Sequence, residues 1–137
     1  MFEGVLSSLQ KELQELLTFV NDRKRLLLIT GAGCSTGSGI GDYRDDQGLW
    51  EISSPLQHQD FLRSETARKR YWMRSQLGYP SFRNARPNPA HYCLARLDSN
   101  ASMVGLITQN VDRLHQKAGQ RDVIDLHGRL DEVICLD

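Results

Sequence analysis

Long apolar runs are missing from this 137-residue sequence: its longest aliphatic stretch, Leu26 to Ile29, falls far short of the roughly 20 residues a membrane-spanning helix needs. Cysteine is scarce. Cys34, Cys93 and Cys135 are too few and too scattered for a disulfide framework, which favours a reducing interior. Net charge is absent too, with 17 basic residues against 17 acidic ones, so no global field draws the chain to nucleic acid or to a membrane surface. The opening Met1-Phe2-Glu3-Gly4 lacks the basic start of a signal peptide, and three glutamates by residue 15 do not suit a transit peptide. Internal repeats and low-complexity stretches are lacking as well. What remains, 39% hydrophobic and 25% charged residues, is the composition of one ordinary globular domain. The expectation is a soluble intracellular protein, cytoplasmic in a bacterium, with the mitochondrial matrix as the option in a eukaryote.

Apolar residues at three- and four-residue steps (Val5, Leu6, Leu9, Leu13, Leu16, Leu17, Val20) predict an amphipathic helix over residues 4–21. The apolar run Leu26–Thr30 has the look of a central strand buried on both faces, and Gly31-Ala32-Gly33 follows it at once. Residues 58–77 read as helical, with a break near Ser64 and a stop at Gly78 and Pro80. Asn88-Pro89 is a helix start, an N-cap followed by proline at the first helical position. Met103–Thr108 reads as a second strand, Asp112–Ala118 as two short helical turns closed by Gly119, and Val123–Leu126 as a third strand. Leu130–Leu136 alternates like a fourth. This order predicts an α/β fold with a parallel sheet. Ligands of such sheets sit at the carboxyl ends of the strands, which singles out Gly31 to Ser35, Gln109 to Asp112, and His127.

Each of these segments has a plain reading and a chemical one. Gly31-Ala32-Gly33 fits a turn where backbone N–H groups approach a phosphate, yet a tight turn without a ligand has the same sequence. The dinucleotide spacing G-x-G-x-x-G fails, because Thr36 stands where the third glycine belongs; a Walker A loop is absent. That weakens an ordinary hydride-transferring oxidoreductase. Asn110 and Asp112 could hold a carboxamide ligand or simply cap the next helix. His127, between Leu126 and Gly128 at a strand end, is suited to general-base work near neutral pH, and equally to a structural hydrogen bond. His58, His91 and His115 lie in or beside helices and read as structural. From Arg63 to Arg86 the chain carries seven basic residues and one acid, which reads as a solvated face or as a groove for an acidic group.

In combination these segments resemble the sirtuins, the NAD-dependent protein deacylases. The matching blocks, in order, are Gly31-Ala32-Gly33-Cys34-Ser35, Ser38-Gly39-Ile40-Gly41-Asp42-Tyr43-Arg44, Gly48-Leu49-Trp50, Pro87-Asn88-Pro89-Ala90-His91, Thr108 through His115, and Leu126-His127-Gly128. Tyr71-Trp72-Met73-Arg74 and Cys135-Leu136-Asp137 resemble the class II branch most. Gly41, where the family usually has proline, and Gly37, where a larger residue is common, depart from the pattern. The resemblance implies a Rossmann-type domain joined to a small zinc-ribbon domain. It implies that Gly31, Ala32, Gly33, Asp42, Tyr43 and Arg44 contact NAD, that Gln109 approaches the nicotinamide ribose, and that Asn110 and Asp112 hold the nicotinamide end. His127 would be the base that deprotonates a ribose hydroxyl, with Asn110 beside it in the reaction. By the same analogy Tyr71 and Arg74 would meet the acyl group, and Cys135 would be the first zinc ligand.

The family pattern continues past residue 137, so residues 1–137 are expected to be the N-terminal portion of a sirtuin catalytic domain, ending before its zinc module is complete. One thiolate cannot hold a four-coordinate structural zinc. The leading expectation is an enzyme that removes acyl groups from protein lysines, or transfers ADP-ribose, with release of nicotinamide. Its partner would be an acyl-lysine protein or peptide, with no nucleic acid and no membrane. The alternative is an inactive truncated fragment that binds NAD or peptide without turnover.

Overall fold

The computed structural model describes residues 2–42, 56–99 and 103–135. Helix α1 (Phe2–Asn21) leads into strand β1 (Leu26–Thr30), which is followed by a 3-10 stretch over Ala32–Ser38. Helices α2 (His58–Arg63), α3 (Glu65–Asn84) and α4 (Pro89–Ser99) come next, then β2 (Met103–Thr108), α5 (Leu114–Lys117) and β3 (Val123–Asp125). The three strands form one parallel sheet in the order β1-β2-β3. Thr30, Thr108 and Asp125 pair in register, so the three strand ends stand in a row and the segments after them lie side by side. That row is where an open parallel sheet presents its ligand crevice.

Local chemistry accounts for the helix boundaries. The Ser64 hydroxyl accepts from the Ala67 N–H, which caps α3 and makes the predicted break between α2 and α3. Asn88 Oδ1 accepts from the Ala90 and His91 N–H groups at 2.9 and 3.4 Å, with Pro89 at the first position, so α4 begins where the sequence said. The helical stretch expected over Asp112–Ala118 is one turn, ended by Gly119 at φ +94°.

Three expectations need correction. Gly78 and Pro80 do not stop α3, which runs through them to Asn84. Tertiary contact overrides the weak propensity there: Tyr79, Phe82 and Arg83 line a small cavity against Val111–Arg113, and Lys117 Nζ donates to the carbonyls of Arg83 and Ala85. The fourth strand is not formed over 130–135, the described part of that segment. Instead Arg129 clasps Asp131 and Glu132 beside it, and the Leu130 N–H bonds the Val111 carbonyl, so the backbone turns rather than joining the ladder. Finally, β1 is buried on one face only. Leu28, Thr30, Leu106 and Thr108 face the side of α4 and α5, whereas Leu27, Ile29 and Ile124 on the other face are 56%, 66% and 57% exposed. The leucines of α1 are likewise exposed, so its predicted apolar stripe meets no core among the described residues. None of the described helices is long and apolar enough to cross a membrane.

Candidate active site at the strand ends

The segments after β1 and β2 are bound to each other through buried polar side chains. Asn110 Nδ2 donates to the Gly31 carbonyl at 2.9 Å and to Ser35 Oγ at 3.0 Å. Ser35 Oγ in turn donates to Asp112 Oδ2 at 2.7 Å, and Asp112 Oδ1 accepts from the Leu114 N–H at 2.9 Å. Ser35, Asn110 and Asp112 are all buried, so each hydrogen bond is protected from water and its loss would leave a polar group unpaired. Arg113, not Asp112, is the N-cap of α5; the Asp112 carboxylate instead joins the Leu114 N–H at the start of that helix to the turn after β1. Among the described residues, a Cβ on Gly33 would meet nothing within 4 Å, and one on Gly31 would meet only Gln109 Oε1 at 3.8 Å. The turn can take a bulky group against its backbone.

Two further contacts shape this region. Arg113 adopts a left-handed backbone at φ 64°, a costly conformation for a residue with a side chain, and is held in it by an ion pair to Asp125 at the end of β3. Gln116 Nε2 donates to the other oxygen of Asp125 at 3.0 Å. Gly37 lies so close to Asn88 that an added Cβ would come within 3.2 Å of Asn88 Nδ2, which donates to the Cys34 carbonyl. Gly37 thus packs closely against α4.

His127 stands on the third strand end. Its Nδ1 lies 3.0 Å from the Gln109 carbonyl, which can only accept, so Nδ1 carries the proton. Nε2 is left as the bare nitrogen of an exposed ring. The backbone of Gln109 is itself set by its N–H bond to the Thr30 carbonyl, so β1 and β2 together orient the imidazole.

Beneath this row lies a pair of histidines. His91 on α4 and His115 on α5 are buried with ring centroids 4.8 Å apart, and Cys34 Sγ sits 4.0 Å from His91 Nε2. His115 Nε2 bonds Thr30 Oγ1 at 2.9 Å, and Thr30 Oγ1 donates to Thr108 Oγ1. Burial lowers the pKa of His91 and carries that of His115 down from 6.5 to about 4, with His91 adding to the latter shift and Asp112 and Asp125 opposing it. Burial, followed by the charge of Asp112, pushes the Cys34 thiol up.

The shift of His115 predicts acid sensitivity. The folded state holds this ring neutral, whereas the unfolded chain protonates it near pH 6.5. Its stabilising contribution is complete above pH 6.5 and is lost progressively as pH falls towards 4. The unfolding free energy from denaturant titrations between pH 7 and 4 should fall by an amount on the order of 2–3 kcal/mol from this group, and His115→Gln should flatten the profile. An unchanged slope in the variant would place the sensitivity elsewhere.

Of the residues singled out in the sequence, Gly31, Gln109, Asn110, Asp112 and His127 are brought together, with Ala32 and Gly33 in the turn itself. Asp42 is exposed, while Tyr43 and Arg44 lie outside the described residues. Tyr71 and Arg74 are exposed on α3, Tyr71 edge-on to Phe61 at 5.1 Å. Cys135 is an exposed free thiol. Ser35 was singled out only as the end of the Gly31–Ser35 turn, and its hydroxyl, which joins Asn110 to Asp112, had no role of its own there.

Known proteins are similar to this chain in sequence and fold. The chain is 53% identical over 131 residues to an NAD-dependent protein deacetylase of Bordetella pertussis, covering 96% of the chain and 48% of that protein. It is 48% identical over 130 residues to the human mitochondrial NAD-dependent protein lipoamidase sirtuin-4, covering 93% and 41%. A solved Sir2 enzyme superposes with a TM-score of 0.76 at 36% identity, over 93% of this chain and 50% of that one. A Sir2 structure with a p53 peptide and NAD+ gives 0.72 at 35% identity, over 84% and 45%. The chain spans about half the length of the relatives it matches. With the Sir2 family model matching residues 31–137, from the Gly31 turn through His127 and beyond, the chain belongs to the Sir2 family.

Proposed function

We propose that the protein is an NAD-dependent protein-lysine deacylase that releases nicotinamide, with ADP-ribosyl transfer as its related reaction. The observation that carries this reading is the contact of His127 Nδ1 with the Gln109 carbonyl at 3.0 Å, which fixes an exposed imidazole at the strand end next to Asn110 and leaves Nε2 to act as a base. NAD supplies the ribose carbon that takes the acyl oxygen of an acyl-lysine peptide as nicotinamide leaves. His127 Nε2 accepts the proton of a ribose hydroxyl, while Nδ1–H on the carbonyl fixes the ring. The open turn at Gly31, Ala32 and Gly33, with Asp42, Tyr43 and Arg44, binds the cofactor; Gln109, Asn110 and Asp112 hold its nicotinamide end. Hydrogen bonds inside the network keep these groups fixed before substrate arrives, which is how positioning lowers a barrier. The Sir2 structure with p53 peptide and NAD+ supports a peptide as the partner, and the proposed chemistry requires its lysine to carry the acyl group.

The coverage of the relatives supports reading residues 1–137 as the N-terminal part of a catalytic domain. Cys135 would give that domain its first zinc ligand; a structural site needs four, and no step of the chemistry passes through it. The segment Tyr71-Trp72-Met73-Arg74 supports the class II branch. Tyr71 and Arg74 lie three apart on α3, hence on neighbouring positions of one face, within the basic stretch 63–86. Arg74→Met is expected to weaken turnover of a dicarboxylic acyl peptide more than that of an acetyl peptide. Equal effects on both substrates would reduce Arg74 to a surface charge. The whole proposal is tested by nicotinamide release from NAD in the presence and absence of an acyl-lysine peptide.

A further inference from the structure

Three side chains from three different elements converge below the strand ends. Cys34 comes from the stretch after β1, His91 from α4 and His115 from α5, and one donor atom from each lies within 4.8 Å of the others. This is a different place from the exposed Cys135. Nδ1 of His115 is buried and has no hydrogen-bond partner among the described residues. Its Nε2–H is given to Thr30 Oγ1, whose own hydrogen goes to Thr108, so Nδ1 is a bare lone pair on a ring only 1% exposed. An orphaned acceptor at such depth costs stability unless something fills it.

We propose that Cys34, His91 and His115 form a binding site for a borderline-soft metal ion of the Zn2+ class. One thiolate and two imidazoles are the donor set that such ions select over Mg2+ or Ca2+. In tetrahedral geometry with ordinary Zn–S and Zn–N bonds, donor atoms stand roughly 3.3–3.7 Å apart. The 4.0 Å between Sγ and His91 Nε2 needs a small contraction, and the separations of up to 4.8 Å within the cluster need the side chains to close in by about 1 Å. Binding releases the Cys34 thiol proton to solvent. His91 must also shift its proton, because its Nδ1 now accepts a long bond of 3.3 Å from the Asn88 N–H. That loss makes the site weaker than a closed structural zinc site. Cys34 is partly exposed and provides the way in. A water completes the coordination, as in sites with three protein ligands.

The test is site-resolved alkylation of the full-length protein, stripped of metal, with Zn2+ added and each cysteine followed by peptide mapping. Cys34 labelling is expected to slow by about tenfold or more at saturating Zn2+, since the bound thiolate is no longer a free nucleophile. Cys93, exposed and outside the cluster, serves as the internal control. His115→Gln, which keeps a donor for Thr30 but removes the imidazole, should abolish the protection, as should His91→Gln. Unchanged Cys34 labelling in the wild-type protein would overturn the site regardless of how the variants fold. Protection that survives in both histidine variants would overturn it as well.

Discussion

His127→Ala in the full-length protein is expected to cut turnover by about 10²–10⁴-fold or more, while NAD affinity stays within a few-fold of wild type. Removing the ring removes the bare Nε2 and leaves the Gln109 carbonyl, whose position is set by the sheet. Of the groups proposed to hold the cofactor, Gln109 meets His127 through its backbone carbonyl, while the Gly31 turn and the Asn110–Ser35–Asp112 network share none of the hydrogen bonds described above with it. A loss in kcat without a matching loss in binding is the signature of a group that acts only in the transition state. Initial rates alongside equilibrium NAD binding decide it. Comparable turnover in the variant would remove His127 from the chemistry.

The second large effect concerns residues 1–137 expressed by themselves. Leu27, Ile29 and Ile124 leave one sheet face open, and Leu6, Leu9, Leu13 and Leu16 present an exposed stripe on α1. Apolar surface of that extent, left in water, withholds the main stabilising contribution to folding. The groups of the strand-end site would then be held loosely, and catalysis tolerates little looseness. This polypeptide is expected to bind a hydrophobic dye, to self-associate, and to release no measurable nicotinamide from NAD with an acyl-lysine peptide. A monodisperse polypeptide with sustained, His127-dependent release would show that these residues are sufficient for the reaction.

Much of the fold was legible in the sequence because local signals and tertiary structure agreed. β1, β2, the Asn88-Pro89 start of α4 and the Gly119 stop follow from short apolar runs and capping residues. Misreadings arose where distant contacts decided the outcome. α3 persists through Gly78 and Pro80 because Lys117 and the 111–113 segment hold its last turn, and no periodicity in 58–84 could report that. The alternation over 130–135 came to nothing because Arg129 found carboxylates two and three residues on. In the candidate site, the strand-end rule picked out Gly31, Asn110, Asp112 and His127 correctly as neighbours. It reached Ser35 only as the end of the Gly31–Ser35 turn and was silent on the histidines 91 and 115, since only the packing of α4 and α5 on the sheet brings His91 and His115 beside Cys34.

The most direct measurement follows NAD, nicotinamide, reduced cofactor and deacylated peptide together in one reaction of the full-length protein. The account predicts that nicotinamide forms in step with deacylated peptide, only when acyl-lysine is present, with no reduced cofactor and with His127→Ala inactive. Reduced cofactor formed by hydride transfer, or nicotinamide release indifferent to both the acyl group and His127, would contradict it.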